Sequence, residues 1–121
     1  IASGVTTILF IPGSGTNVSG SGVLLKTALP TYEEMVVRDP GSLKIAQGDN
    51  PTRWGYGMGR GMMNYHIRTE LQRGLSYAKR LDAGDTTLAR DIAYDVYREL
   101  LAKRTQVSTH TQWIPERFSR A

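Results

Sequence analysis

Residues 62–104 read MMNYHIRTELQRGLSYAKRLDAGDTTLARDIAYDVYRELLAKR, and their periodicity decides the fold expected of this chain. Met63, Ile67, Leu71, Leu75 and Ala78 recur at i+4 and i+3, and Leu81 continues the row. Arg68, Arg73, Lys79 and Arg80 fall mostly off it, the pattern of an amphipathic helix of about 20 residues. Gly74 interrupts the helix, a mark of close packing against another backbone. Gly84 suits the position just past a helix end, and Asp85 suits an N-cap. A second helix is therefore expected from about Thr86 to Arg104, with Leu88, Ile92, Ala93, Val96 and Leu100 as its stripe. Asp95–Arg98 and Glu99–Lys103 add intrahelical ion pairs. So short a link lays the two helices antiparallel, as an αα-hairpin.

Outward from the hairpin, residues 53–61 read RWGYGMGRG. Glycine at every second position makes helix costly, so this is a loop. Residues 1–52 are mostly extended. Val5 to Ile11 is β-branched and apolar, and Pro12-Gly13 stops it. Gly13 to Gly22 reads as a flexible Gly/Ser loop. Val23 to Thr27 suits a second strand; Pro30 breaks it, and Thr31 suits an N-cap for a turn through Met35. Asp39-Pro40-Gly41-Ser42 is a turn signal, and Leu43 to Gln47 is a short stretch with no decided preference. The tail, 105–121, is polar up to Trp113-Ile114-Pro115, with Phe118 as a further apolar side chain.

Composition excludes several function classes. The 121 residues contain no cysteine, which removes disulfide scaffolds, cysteine nucleophiles and thiolate metal sites. No apolar run is long enough to span a membrane as a helix. Fifteen Lys+Arg stand against eleven Asp+Glu, unevenly placed. Residues 1–52 hold three basic and four acidic side chains; residues 53–121 hold twelve and seven. All of the positive excess lies in the C-terminal part, which suggests an electrostatic role there. The chain opens on Ile1 rather than methionine, which reads either as processing of a longer chain or as trimming.

Catalytic and ligand-binding motifs are sparse. No Walker string or dinucleotide fingerprint completes either glycine run, and no G-x-S-x-G elbow occurs. The two histidines, His66 on the first helix and His110 in a Ser/Thr-rich loop, have no H-E-x-x-H or acidic cluster beside them. A hydrolase pairing His66 with Glu70 at i+4 is the enzymatic reading, but nothing in the chain pairs a nucleophile with a base. Asn17-Val18-Ser19 is a glycosylation sequon, relevant only to a secreted chain. Leu75-Ser76-Tyr77-Ala78 followed by Ala83-Gly84-Asp85 resembles the helix–turn–helix stretch of phycobiliproteins. The spacing is two residues longer and no cysteine exists to carry a bilin, so the resemblance assigns no family.

The sequence thus predicts an α+β fold: an extended N-terminal arm, broken by glycine and proline and holding one or two short strands, then an antiparallel αα-hairpin. Its parts are 1–61 (arm and Gly-rich loop), 62–104 (helical hairpin) and 105–121 (C-terminal tail). Two single-striped helices make a thin core, so a partner is expected to cover it. The expected function is non-enzymatic: a structural or assembly subunit of a larger multi-protein complex of the shell, virion-particle or linker type. It would dock by its hairpin in a homo- or hetero-oligomer and thread its arm over neighbours. Trp54, Tyr56, Arg60, Trp113 and Phe118 are the expected interface anchors, because aromatics and arginine dominate such contacts. The alternative is a nucleic-acid-binding protein whose Arg53, Arg60, Arg68 and Arg73 contact phosphates. No catalytic residue, cofactor or metal site is assigned, and the compartment is left unassigned.

Overall fold

The computed structural model describes residues 3–54 and 59–112. Four strands form one mixed sheet in the order β1 (Thr7–Phe10), β2 (Val18–Lys26), β3 (Val36–Gly48) and β4 (Val107–Gln112). β1 pairs antiparallel with β2 and β2 with β3, whereas β3 and β4 run parallel. The sheet curls into a half-barrel. Parallel neighbours need a crossover. Here it comprises α2 (Asp49–Trp54), α3 (Arg60–Asp82), a 3-10 turn (Ile92–Tyr94) and α4 (Asp95–Leu101). A single turn, α1 (Tyr32–Met35), joins β2 to β3, and the Thr31 hydroxyl caps it by accepting from the Glu34 N–H at 3.3 Å.

This architecture corrects the expected arm and antiparallel hairpin. The stretch from Val36 to Gly48 is one strand of 13 residues, the centre of the sheet rather than a turn and an undecided piece. Gly41 makes its bend over β2 feasible: a Cβ there would press on the backbone of Val23 and Leu24. The supposed loop at 18–22 is the first half of β2. Register shifts at Val18/Gly20 and Gly22/Leu24 let glycine stand inside a strand as a bulge residue. The polar stretch 107–112 is a strand too.

The helical stripe is real, but its partner is the sheet. Leu43 and Ile45 of β3 meet Ala78 of α3 and Val96 and Tyr97 of α4, with Ile67, Leu71 and Leu75 packed around them. Only the first helix has the expected length. Residues 86–91 are not helical, because Asp85 folds its carboxylate onto the Thr87 N–H (2.9 Å) and hydroxyl (2.6 Å) in a local turn. Asp91 supplies the next cap, accepting from the Ala93 N–H at 3.0 Å. Gly74 is buried against the ring of Tyr97, a side chain rather than a backbone, and a methyl group at Gly74 would overlap that ring.

The Asp85 turn gives a pH prediction. Hydrogen bonds from the Thr87 hydroxyl, Arg80 and the Thr87 N–H lower the Asp85 carboxyl from 3.8 to about 2. A depressed acid stabilises the fold above its unfolded value and loses that contribution as pH falls through its folded value. The Asp85→Asn variant should therefore lose less of its melting temperature than the wild type between about pH 4 and about pH 2. Parallel thermal melts check this; identical slopes would show that the turn carries no such linkage. Among the described residues, no helix is long and apolar enough to cross a membrane.

Candidate functional site

Side chains alternate across a strand, so β3 has two faces. Leu43 and Ile45 face the helices. Ser42, Lys44 and Ala46 face the other way, and all three are buried. Lys44 is only 2% exposed. Lysine is almost never fully buried unless it has a partner, so this position needs one.

That partner comes from the β1–β2 connection. The Lys44 Nζ donates to Ser14 Oγ at 3.0 Å, and the same Oγ lies 3.0 Å from His110 Nδ1. His110 stands on β4, where parallel pairing sets it beside Ala46 and sets Ser108 beside Lys44. Residues in register on neighbouring strands share a face. Amine, hydroxyl and imidazole thus converge from three separate elements. Among the described residues, Lys44 has no carboxylate partner.

The loop carrying Ser14 is fixed rather than free. Asn17 bonds twice to one residue of the central strand: its Nδ2 donates to the Ala46 carbonyl (2.6 Å), and its own carbonyl accepts from the Ala46 N–H (2.8 Å). The Ser19 hydroxyl closes a local turn onto the Thr16 carbonyl at 2.9 Å. At 6% exposure Asn17 is also closed to glycosylation in the folded chain, whatever its sequon. Among the described residues, Asn17 Oδ1 and Ser42 Oγ are buried without a hydrogen-bond partner, as are Arg38 Nε and Asp95 Oδ1 elsewhere.

On the opposite side of the sheet, a cleft of about 320 Å³ lies against Val18, Leu43, Glu70, Asp91, Tyr94 and Tyr97. Hydrogen bonding to Glu70 pushes the Tyr94 hydroxyl up from its ordinary value, and burial pushes Tyr97 up. Tyr77 accepts from the Asp91 N–H at 2.8 Å, so this side is a knit of tyrosines over the core.

The residues singled out from the sequence lie elsewhere. Arg53 is exposed in the last turn of α2; Arg60, Arg68 and Arg73 are exposed along α3. The structure brings none of them to the Lys44 cluster. Trp54 is the last residue of α2. Tyr56, Trp113 and Phe118 lie outside the described residues. His66 is exposed beside Tyr65, and Glu70 is engaged with Tyr94. Lys44 and Ser14 are not selected by sequence reasoning, and His110 belongs to a strand rather than a loop. The one available signal was a lysine between Leu43 and Ile45. His110 is the cluster's side chain of metal-ligating type, and among the described residues no three His, Asp or Glu gather around a common point.

No protein-family profile matches the chain, and no curated protein does. A solved structure is similar to it: the amidohydrolase from Thermotoga maritima MSB8, with a TM-score of 0.78 and 28% sequence identity. The alignment covers 96% of this chain and 33% of that one, so the chain spans about a third of the length of the structure it matches. This likeness, together with the half-barrel, overturns the expected non-enzymatic assembly subunit. The fold is similar to part of an enzyme, and nothing supports a virion or linker component.

Proposed function

We propose that this chain forms part of a hydrolase that cleaves a carbon–nitrogen amide bond, with Lys44, Ser14 and His110 among its working groups. One observation carries the reading: a fully buried lysine is joined through a serine to a histidine on the neighbouring parallel strand, in a fold similar to part of an amidohydrolase. Buried, hydrogen-bonded amines and imidazoles are costly to hold in a core and concentrate where chemistry needs them.

Amide hydrolysis makes two demands. Water adds to the carbonyl carbon, placing negative charge on the carbonyl oxygen, and the departing nitrogen must gain a proton. The Lys44 amino group is a hydrogen-bond donor for developing negative charge in a site shielded from water. The His110 imidazole is the group suited to give a proton to the leaving nitrogen, and the proton released by the added water restores the ring.

The test is amine release by the full-length protein from a panel of N-acyl amino acids, dipeptides, anilides and cyclic amides. His110→Gln should lower kcat by about 100-fold or more, the scale of a lost proton-transfer group. No amine release from any of these amides, or equal rates for His110→Gln and wild type, would overturn the reading.

A further inference from the structure

We propose that Ser14 is a positioning residue that fixes the tautomer of His110, holding the ring proton on Nε2, the nitrogen not engaged by Ser14. The inference rests on the hydrolase reading for its use and on hydrogen-bond accounting for its geometry.

A serine hydroxyl has one proton to give and two lone pairs. Lys44 Nζ donates at 3.0 Å and so takes a lone pair. The remaining contact is His110 Nδ1, also at 3.0 Å. If Nδ1 carried a proton, Oγ would accept twice and its own hydrogen would have no acceptor among the described residues. A half-buried donor left unmatched is costly. All three groups are satisfied when Lys44 donates to Ser14 and Ser14 donates to Nδ1. A neutral imidazole then keeps its hydrogen on Nε2. The order runs one way because the lysine supplies the first donor. Ser14 is held to this task by the paired Asn17–Ala46 hydrogen bonds three residues along the loop.

The consequence for the reaction is directional. His110 offers substrate an N–H rather than a lone pair, and so meets the carbonyl oxygen or leaving nitrogen as a donor. Ser14 touches neither; it acts through His110.

The experiment is a two-bond proton–nitrogen correlation spectrum of the full-length protein labelled with 15N-histidine, at a pH where imidazole is neutral. Exposed His66 serves as internal reference, and His66→Gln assigns the peaks. The expected wild-type result is the pure Nε2–H pattern for His110. Ser14→Ala should turn it into a mixture of tautomers, and Ser14→Thr, which keeps the hydroxyl, should restore it. In parallel, Ser14→Ala should lower kcat at least about tenfold with KM little changed, and Ser14→Thr should recover most of it. A pure Nδ1–H pattern or a mixture in the wild type overturns the proposal, and the wild-type spectrum decides this even if Ser14→Ala does not fold. An Ser14→Ala spectrum identical to wild type overturns it as well. Because the tautomer is read without substrate, a protein with the expected spectra that is inert on every amide refutes the hydrolase reading alone.

Discussion

Replacing Lys44 with methionine should lower amide hydrolysis by about 100-fold or more while leaving the melting temperature unchanged or higher. The two halves of this expectation come from the same fact. Lys44 is 2% exposed and, among the described residues, has a neutral hydroxyl for a partner. An amino group in such a place costs more to bury than the thioether of similar length that would replace it. Methionine fills the volume, keeps Leu43 and Ile45 on the helical side, and removes a polar group from the interior. Activity falls because a directed donor in a water-poor site is worth about 100–1,000-fold in kcat. Steady-state kinetics and a thermal melt on the same preparation check both halves. A Lys44→Met protein that melts well below wild type, or that hydrolyses at the wild-type rate, would place the lysine in the scaffold and not in the chemistry.

Truncating Tyr97 to alanine should be the most damaging single change to the fold, at about 3–5 kcal/mol. Tyr97 is 2% exposed and lies in the core with Leu43, Ile45, Ala78 and Val96. Its ring covers Gly74 of α3 and lies tilted against Tyr94 at 5.6 Å, centroid to centroid, and Tyr94 in turn meets Tyr77 at 5.5 Å. One side chain therefore couples α4 to α3 and to the sheet. On the α3 side the facing residue is a glycine, so no side chain at that position fills the space the ring leaves. Urea unfolding measures the loss, with Tyr97→Phe as the control that keeps the ring and should stay within about 1 kcal/mol of wild type. A Tyr97→Ala protein within that same margin would mean that α3 and α4 rest on the sheet independently.

Part of this fold was legible from residue pattern. The 3.6-residue period of Met63 to Leu81 marks α3, which runs from Arg60 to Asp82, and Thr31 caps the short turn ahead of β3. What the pattern did not carry was the destination of those elements. An amphipathic stripe says that a helix covers something, and a sheet presents the same apolar demand as a second helix does. Punctuation misled for a different reason. Pro40, Gly41, Gly20 and Gly22 are turn formers in isolation, yet here they sit inside strands, and at Gly22 and Gly41 another backbone passes too close for a Cβ. The site was hidden by burial on both faces of β3. Its sequence, Ser42-Leu43-Lys44-Ile45-Ala46, alternates as a half-exposed strand would, although every one of these residues is buried. A lysine in that pattern reads as a solvent contact. Ser14 sat in a stretch whose composition suggests flexibility, and the two hydrogen bonds of Asn17 to Ala46 that immobilise it come from a contact 29 residues away.

The long crossover between β3 and β4 has a consequence for the history of the molecule. Ser14 and His110 are 96 residues apart, so the cluster closes only when the last described strand arrives. Until then the 43–48 edge of β3 is bare, a row of unpaired amides and carbonyls bordered by Leu43 and Ile45, and such an edge recruits other chains. A charged side chain in the middle of an open edge is the usual protection against this. Lys44 stands at that position. A charge there disfavours pairing with another chain while the edge is open; once β4 is in place, Lys44 is enclosed. Lys44→Met is for this reason expected to leave a larger share of the expressed protein in inclusion bodies than wild type, measured as the soluble fraction on expression.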